Sequence, residues 1–459
     1  MRASTVVERS GVASVSLVCQ GFLGQAKAIA PGLGMLGLPL ARIVGHVDGL
    51  TVAEIERDLL AVTLEEIEQG LTQAPQRVME AVVLAPDAFA ARGTEEEIRH
   101  TFEARAWSDG LPFVPPTKDR VATFLREASD AAERRIGVLM PAGAAATVLN
   151  VAVNGVMAGC RPEHMPVLVA IAEALCDPGY GVEHSGDTTG GDALVILSGP
   201  AILRLGFNYE NAALRDGHLA NSTVGRFLRL LLRNVARSLP GGADKATFGN
   251  SFRVVLAEHE AACAALGWQT YGADRGFSSD QSLVTVARFT SGGVVGSIYG
   301  RDGEEILRNL GDALVRHSSW ELAFTVGFAP GTYRPLLVLS PMVARTLVRA
   351  GLSKEDVRAG LFRHARLPAD KFETYIGLWS NLVAGRPTLR QLVDRGLADP
   401  VFAIDNDPRR LVPIVAKQEH IQIVVSGDPL RSNAYVLASN GMHGFPTSKE
   451  VRWPVTDRH

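Results

Sequence analysis

Four short stretches carry the residue types whose spacing could do chemistry. The first runs from Asn150 through Asn154 and Gly159 to Cys160 and Arg161. A thiol beside an arginine and ahead of a helix start would ionise more readily than a free cysteine, which suits a nucleophile or a redox thiol. A buried cysteine also packs as a small hydrophobe, and that reading stays open. Asn150 and Asn154 would supply hydrogen bonds to whatever the thiol attacks. The second stretch, Glu183-His184-Ser185-Gly186-Asp187, offers His184 as a base with carboxylates to orient it. The third, Asn221-Ser222-Thr223-Val224-Gly225-Arg226, reads as a helix start. First-turn N–H groups lack intrahelical partners and sit at the positive end of the helix dipole, so Asn221, Ser222 and Thr223, with Arg226, would hold a carboxylate or phosphate. The fourth, Pro240 to Ser251, brings Asp244, Lys245 and Asn250 on a glycine-rich loop between ordered elements. The candidate catalytic set is thus Cys160, His184, Asp244 and Lys245. The candidate binding set for a small anionic molecule is Asn150, Asn154, Asn221, Ser222, Thr223, Arg226 and Asn250.

The elements that must position these residues are legible from periodicity. Val224, Phe227, Leu228, Leu231 and Val235 share one side at helical spacing, so a helix should start near Ser222. Arg226, Arg229, Arg233 and Arg237 share another face, which reads as solvated or as a surface for an acidic partner. Three apolar runs end in tight turns at Ser198, Ser340 and Ser426, and each reads as a buried strand. Serines at strand ends lie where open α/β sheets bind ligands, although a sharp turn explains them equally well. A further apolar run, Phe252 to Leu256, leads into Glu258-His259-Glu260; if it stays extended, His259 points away from both glutamates.

With 459 residues, 46 % of them hydrophobic and 21 % charged, the chain can build a large core. Its net charge of −3 argues against a general nucleic-acid binder. Cys19, Cys160, Cys176 and Cys263 are scattered without CxxC or metal-ligand spacing, which disfavours a disulfide scaffold or a zinc site and fits a reducing cytoplasm. Met1 to Val18 lacks the plan of a signal peptide, and no stretch has transmembrane length. No Walker A loop and no strand followed by GxGxxG is found, so the cofactor stays unassigned. Strands alternating with helices point to an α/β fold with mostly parallel sheets, helices on the faces and related strand–turn–helix units. We divide it into residues 1–76, a linker at 77–104, and a region 105–459 that could split near 320–335. In the first part, Val12 to Cys19 and Leu38 to Val47 read as strands, and Thr51-Val52-Ala53-Glu54 as a capping box.

The run Arg9-Ser10-Gly11-Val12-Ala13-Ser14-Val15, with Ala26-Lys27-Ala28, Leu33-Gly34-Met35, Leu38-Pro39-Leu40 and Val44-Gly45-His46, resembles the second half of a UGSC-type domain. That family is named for a selenocysteine- or cysteine-containing Gly-Ser-Cys motif on its first strand-to-helix turn. The resemblance begins at about the helix that would follow this motif, so the motif cysteine has no counterpart here. From Asp109 onward the chain is similar to larger UGSC-associated proteins, through Asp109 to Thr117, Asn150 to Pro162, Asn221 to Arg226, Pro240 to Gly249, Arg275-Gly276-Phe277 and Ile421 to Gly427. At Gly249-Asn250-Ser251 and Glu258-His259-Glu260 it departs from that pattern. Two function classes fit. One is an enzyme, thiol-dependent or redox, acting on a small anionic substrate. The other is a non-catalytic partner or scaffold for a separate thiol-bearing UGSC protein. A homo-oligomer is compatible with either.

Overall fold

The computed structural model describes residues 1–72, 76–77, 89–405 and 407–454. Its centre is a seven-stranded sheet of β1 (Asp192–Ser198), β2 (Val255–Ala257), β3 (Leu283–Val295), β4 (Leu336–Leu339), β5 (Gln422–Val425), β6 (Ala434–Ser439) and β7 (Thr447–Glu450). The order across it is β5-β4-β6-β3-β1-β2, with β7 also on β3. Parallel pairs sit at the two edges, β4 with β5 and β1 with β2. Every joint between them is antiparallel. The sheet is therefore mixed, and the expectation of a mostly parallel one fails. Strands buried on both faces read as the same continuous apolar run in either direction, so their composition does not reveal direction.

The sheet curls until its edges touch. His259 N–H donates to Val425 O at 2.7 Å, and Ser426 Oγ to Ala257 O at 2.8 Å. Alternation along each strand separates two environments. Leu194 and Ile196 of β1, Leu256 of β2, Leu336 and Val338 of β4 and Val424 of β5 form a small core inside the curl. Val195, Leu197, Val284 and Val286 face outward, against helices α1 (Lys118–Arg126), α2 (Val148–Ala158), α3 (Met165–Cys176) and α4 (Leu219–Asn234). Leu337, Leu339, Ile423 and Val425 face a second outer core. That core takes in α7 (Gly303–Arg316), α8 (Pro341–Arg349) and α9 (Lys354–His364), once α5 (Glu260–Leu266) and α6 (Tyr271–Asp274) have followed β2. Because β3 spans both halves, one sheet runs through the expected 320–335 boundary.

The first part of the chain pairs Ser16–Cys19 in parallel with Leu40–Ile43, and Thr51 with Glu54 forms the expected capping box. The start of the linker, residues 78–88, lies outside the described residues. Its acidic run Glu95-Glu96-Glu97 opens a helix capped by Thr94, as negative charge at a helix N-terminus should. Among the described residues, no helix is long and apolar enough to cross a membrane.

Candidate functional site

The predicted residues assemble in two groups. In the first, the Asn150–Ala158 run is helix α2, ended by Gly159 in the left-handed region at φ 83°. Cys160 therefore lies between that helix C-terminus and the expected helix start, a 3-10 turn at Pro162–His164 that runs into α3. Its N–H bonds Gly155 O at 3.0 Å, and the side chain is packed in the core. Burial pushes the thiol up to about 12, outweighing the opposite pull of Thr223 and Arg226. Asn150 caps its own helix, accepting from Thr147 N–H at 3.0 Å. Asn154 is buried between Asn150 O at 2.9 Å and Asn234 Nδ2 at 2.7 Å.

Helix α4 starts at Leu219, three residues before the expected cap. Asn221 has turned inward. Its Nδ2 donates to Asn208 O and Val255 O, each at 2.8 Å, and its Oδ1 accepts from Asn208 N–H at 2.8 Å. Ser222 N–H already bonds His218 O at 2.9 Å, while the Ser222 and Thr223 hydroxyls bond Gly217 N–H and Leu219 O. Arg226 grips Asp109 through two bonds of 3.0 and 2.8 Å, Arg229 pairs with buried Asp192, and Arg233 bonds Ala106 O. The anion cradle expected at Asn221–Thr223 and Arg226 is thus occupied by the protein's own groups, and the basic stripe serves to clamp neighbouring segments. The apolar side of the helix is as read: Val224, Phe227, Leu228, Leu231 and Val235 are all buried.

The second group joins the His184 and Asp244 loops. Lys245 N–H bonds Gly186 O at 2.9 Å, Thr247 N–H bonds Thr188 O at 3.0 Å, and Asn250 N–H bonds Gly190 O at 3.2 Å. His184 ends a short 3-10 turn and is half-buried. Asp244 turns back on Ala246 N–H at 3.0 Å, Asn250 Nδ2 donates to Thr290 O at 2.8 Å, and the Lys245 ammonium lies 6.0 Å from the Phe22 ring centre. The side-chain contacts found for Asp244 and Asn250 are those of a loop lock.

A third gathering, at the ends of β1, β2 and β5, concentrates the perturbed groups. Ser198 at the end of β1 donates from Oγ to Glu258 Oε2 at 3.0 Å. Tyr271 N–H, in the first turn of α6, bonds both oxygens of Glu258 at 2.9 and 2.7 Å, and Cys263 Sγ lies 3.7 Å from Oε1. Glu260 accepts from Gly199 N–H. Gly199 has φ 97°, and a Cβ there would stand 2.2 Å from Gln281 O, so the strand-to-helix turn needs glycine. His259 caps α5 through Nδ1, which accepts Ala262 N–H at 3.2 Å. Its other nitrogen then carries the hydrogen, 3.7 Å from Glu210. The strand ends at Ala257 and Glu260 opens α5, so the run does not stay extended; both glutamates reach the end of β1, at Ser198 and Gly199, while His259 turns to Ala262 and Glu210.

Glu258 is fully buried, and that burial raises its carboxyl to about 7. Lys354, Tyr271 N–H and Ser198 pull it down by less, and Glu260 adds to the rise. Lys354 is itself buried, bound to Gln269 O at 2.9 Å and Asp274 at 2.7 Å. Burial raises Glu260 as well and lowers His259. The arrangement sets a fully buried carboxyl, raised to about 7, next to a second, half-buried carboxyl, which is what proton transfer needs. Cys263 has its thiol pushed far up by burial and then by Glu258, so it packs and does not attack. Sequence reasoning noted Ser198 and the Glu-His-Glu triplet but missed Tyr271 and Lys354. Their positions inside short helices carry no local signal, and only the curl of the sheet brings them to Glu258. Among the described residues, no group of three or more His, Cys, Asp or Glu is placed to hold a metal ion. Compared with models of known protein families, with curated proteins and with solved structures, the chain matches none.

Proposed function

We propose that this chain is an enzyme of acid–base chemistry, with Glu258 as the proton-transferring group and the half-buried Glu260 beside it. The observation that carries the reading is a fully buried carboxyl held near neutrality where three strands end. A carboxyl with this balance donates and withdraws a proton at similar cost at pH 7, so it serves as acid in one half of a reaction and base in the other. The test needs no prior substrate. The protein is incubated with a small-metabolite mixture in D2O, and mass spectrometry follows deuterium incorporation or conversion. Wild type should label or convert at least one compound, and Glu258→Gln should lose that activity while remaining folded. Equal labelling by the variant removes Glu258 from the reaction.

A second reading, a non-catalytic partner for a separate thiol-bearing UGSC-type protein, draws support from the thiols of Cys160 and Cys176, both raised to about 12 by burial. It predicts no turnover by the chain alone and turnover once that protein is added. Four free cysteines fit a reducing, cytoplasmic setting for either reading.

A further inference from the structure

Two arginines meet near the start of β4 and β5 with no acidic partner. Arg275, following α6, donates from Nε to Ser448 Oγ at 2.5 Å, from Nη1 to Tyr271 Oη at 3.3 Å, and from Nη2 to Pro446 O. Arg334, just before β4, uses only Nη1, donating to Gly331 O at 2.6 Å and Tyr333 O at 3.0 Å. The segment 445–448 lies against both, since Arg334 also sits 5.4 Å from the centre of the Phe445 ring. All these acceptors are neutral, and neither guanidinium forms an ion pair among the described residues. Asp274, the nearest acid in sequence, is committed to Lys354 and Arg358.

Arg275 and Arg334 are both half-buried, and a partly desolvated ion without a counter-ion is costly. Here burial, and then the charge of Arg275, depress the Arg334 guanidinium below the usual arginine range. Burial, and after it the charge of Arg334, disfavours protonation of nearby His420. Arg334 Nε and Nη2 have no hydrogen-bond acceptor among the described residues. The free Nε–Nη2 side of Arg334, backed by the charge of Arg275, whose nitrogens already donate to Ser448, Tyr271, Gln422 and Pro446, matches the planar oxygens of a carboxylate or phosphate.

We propose that Arg275 and Arg334 form a binding site for a small oxyanion, a carboxylate or a phosphate, held between the two guanidiniums beside Phe445. The site replaces the anion cradle expected on α4, whose groups are consumed by Asp109 and Asn208. It does not rest on the acid–base reading, because no hydrogen bond of either guanidinium goes to Glu258 or Glu260.

Isothermal titration of the full chain with inorganic phosphate and, separately, with malonate tests it, at constant ionic strength against a chloride control. One of the two should bind saturably, and which one does identifies the oxyanion. Arg334→Gln should weaken that binding about ten- to hundred-fold, the value of one lost charge-assisted fork. Arg334→Lys should fall between, since it keeps the charge and loses the fork. Circular dichroism and the urea midpoint of each variant separate lost binding from lost folding. If neither anion binds saturably to wild type, the proposal fails. It fails equally if Arg334→Gln, correctly folded, binds as wild type does.

Discussion

Replacing Glu258 by Gln should flatten the pH dependence of stability in a defined window. Gln keeps the shape and the acceptor oxygen for Tyr271 N–H and Ser198, so the change isolates ionisation. In the folded chain burial raises the carboxyl to about 7, against an ordinary value of 4.5. A group whose folded value is raised binds more protons folded than unfolded, so its contribution is present in full below about pH 4.5 and is lost as pH rises through 7. At about 1.4 kcal/mol per unit, the displacement corresponds to roughly 3 kcal/mol, most of it lost between pH 5 and pH 8. Urea unfolding of wild type and variant at pH 5, 6, 7 and 8 reads this directly. The variant should lose relative stability at pH 5 and match or exceed wild type at pH 8, so the difference between them should drift by roughly 2–3 kcal/mol across the series. Carboxylates lowered by their partners change both proteins equally and cancel in the difference. A drift below about 1 kcal/mol would refute the claim that Glu258 is buried as a near-neutral acid.

Asn221→Ala removes three buried bonds of 2.8 Å and should cost about 3 kcal/mol by urea midpoint; a cost under 1 would show the clamp to be dispensable. Gly225→Ala on α4 would place a Cβ 2.3 Å from Val254 N, so it should destabilise by about 3 kcal/mol. Gly24→Ala, in open space on a helix, should instead be neutral or stabilising in the same unfolding assay. Native iodoacetamide labelling at pH 8, with mass-spectrometric assignment, should leave Cys160 and Cys263 unmodified until urea is added. Rapid native labelling of Cys160 would restore it as a nucleophile. The Asp109 carboxyl is raised by burial but lowered more by the Arg226 bond and charge, so its stabilising effect is present above the usual carboxylate range and lost as pH falls through its depressed value. Arg226→Ala should therefore cost about 1–3 kcal/mol at pH 7, and the cost should shrink in acid unfolding below pH 4.

The helices were legible because an apolar stripe and a capping residue are local features. The α4 stripe and the Thr51 cap depend on neighbours three or four residues away, and sequence contains those directly, whereas the helix capped by Thr94 was read as linker. Its start was misplaced because Asn221 has a capping side chain but spends it on Asn208 and Val255. No local rule announces a partner 34 residues downstream. The arginine stripe misled for the same reason: spacing placed Arg226, Arg229 and Arg233 on one face, but Asp109, Asp192 and Ala106 O decided what that face does.

Strand positions came from apolar runs, while strand direction did not, since a fully buried strand looks alike both ways. By itself the sequence determined the helical faces and the strands ending at Ser198, Ser340 and Ser426. Only the tertiary structure decided that the sheet is mixed and curls until β2 meets β5. That closure buries Glu258 beside Ser198, Tyr271 and Lys354 and raises its proton affinity. Desolvation depends on what surrounds a group in space, and here the surrounding residues come from four separate stretches of chain.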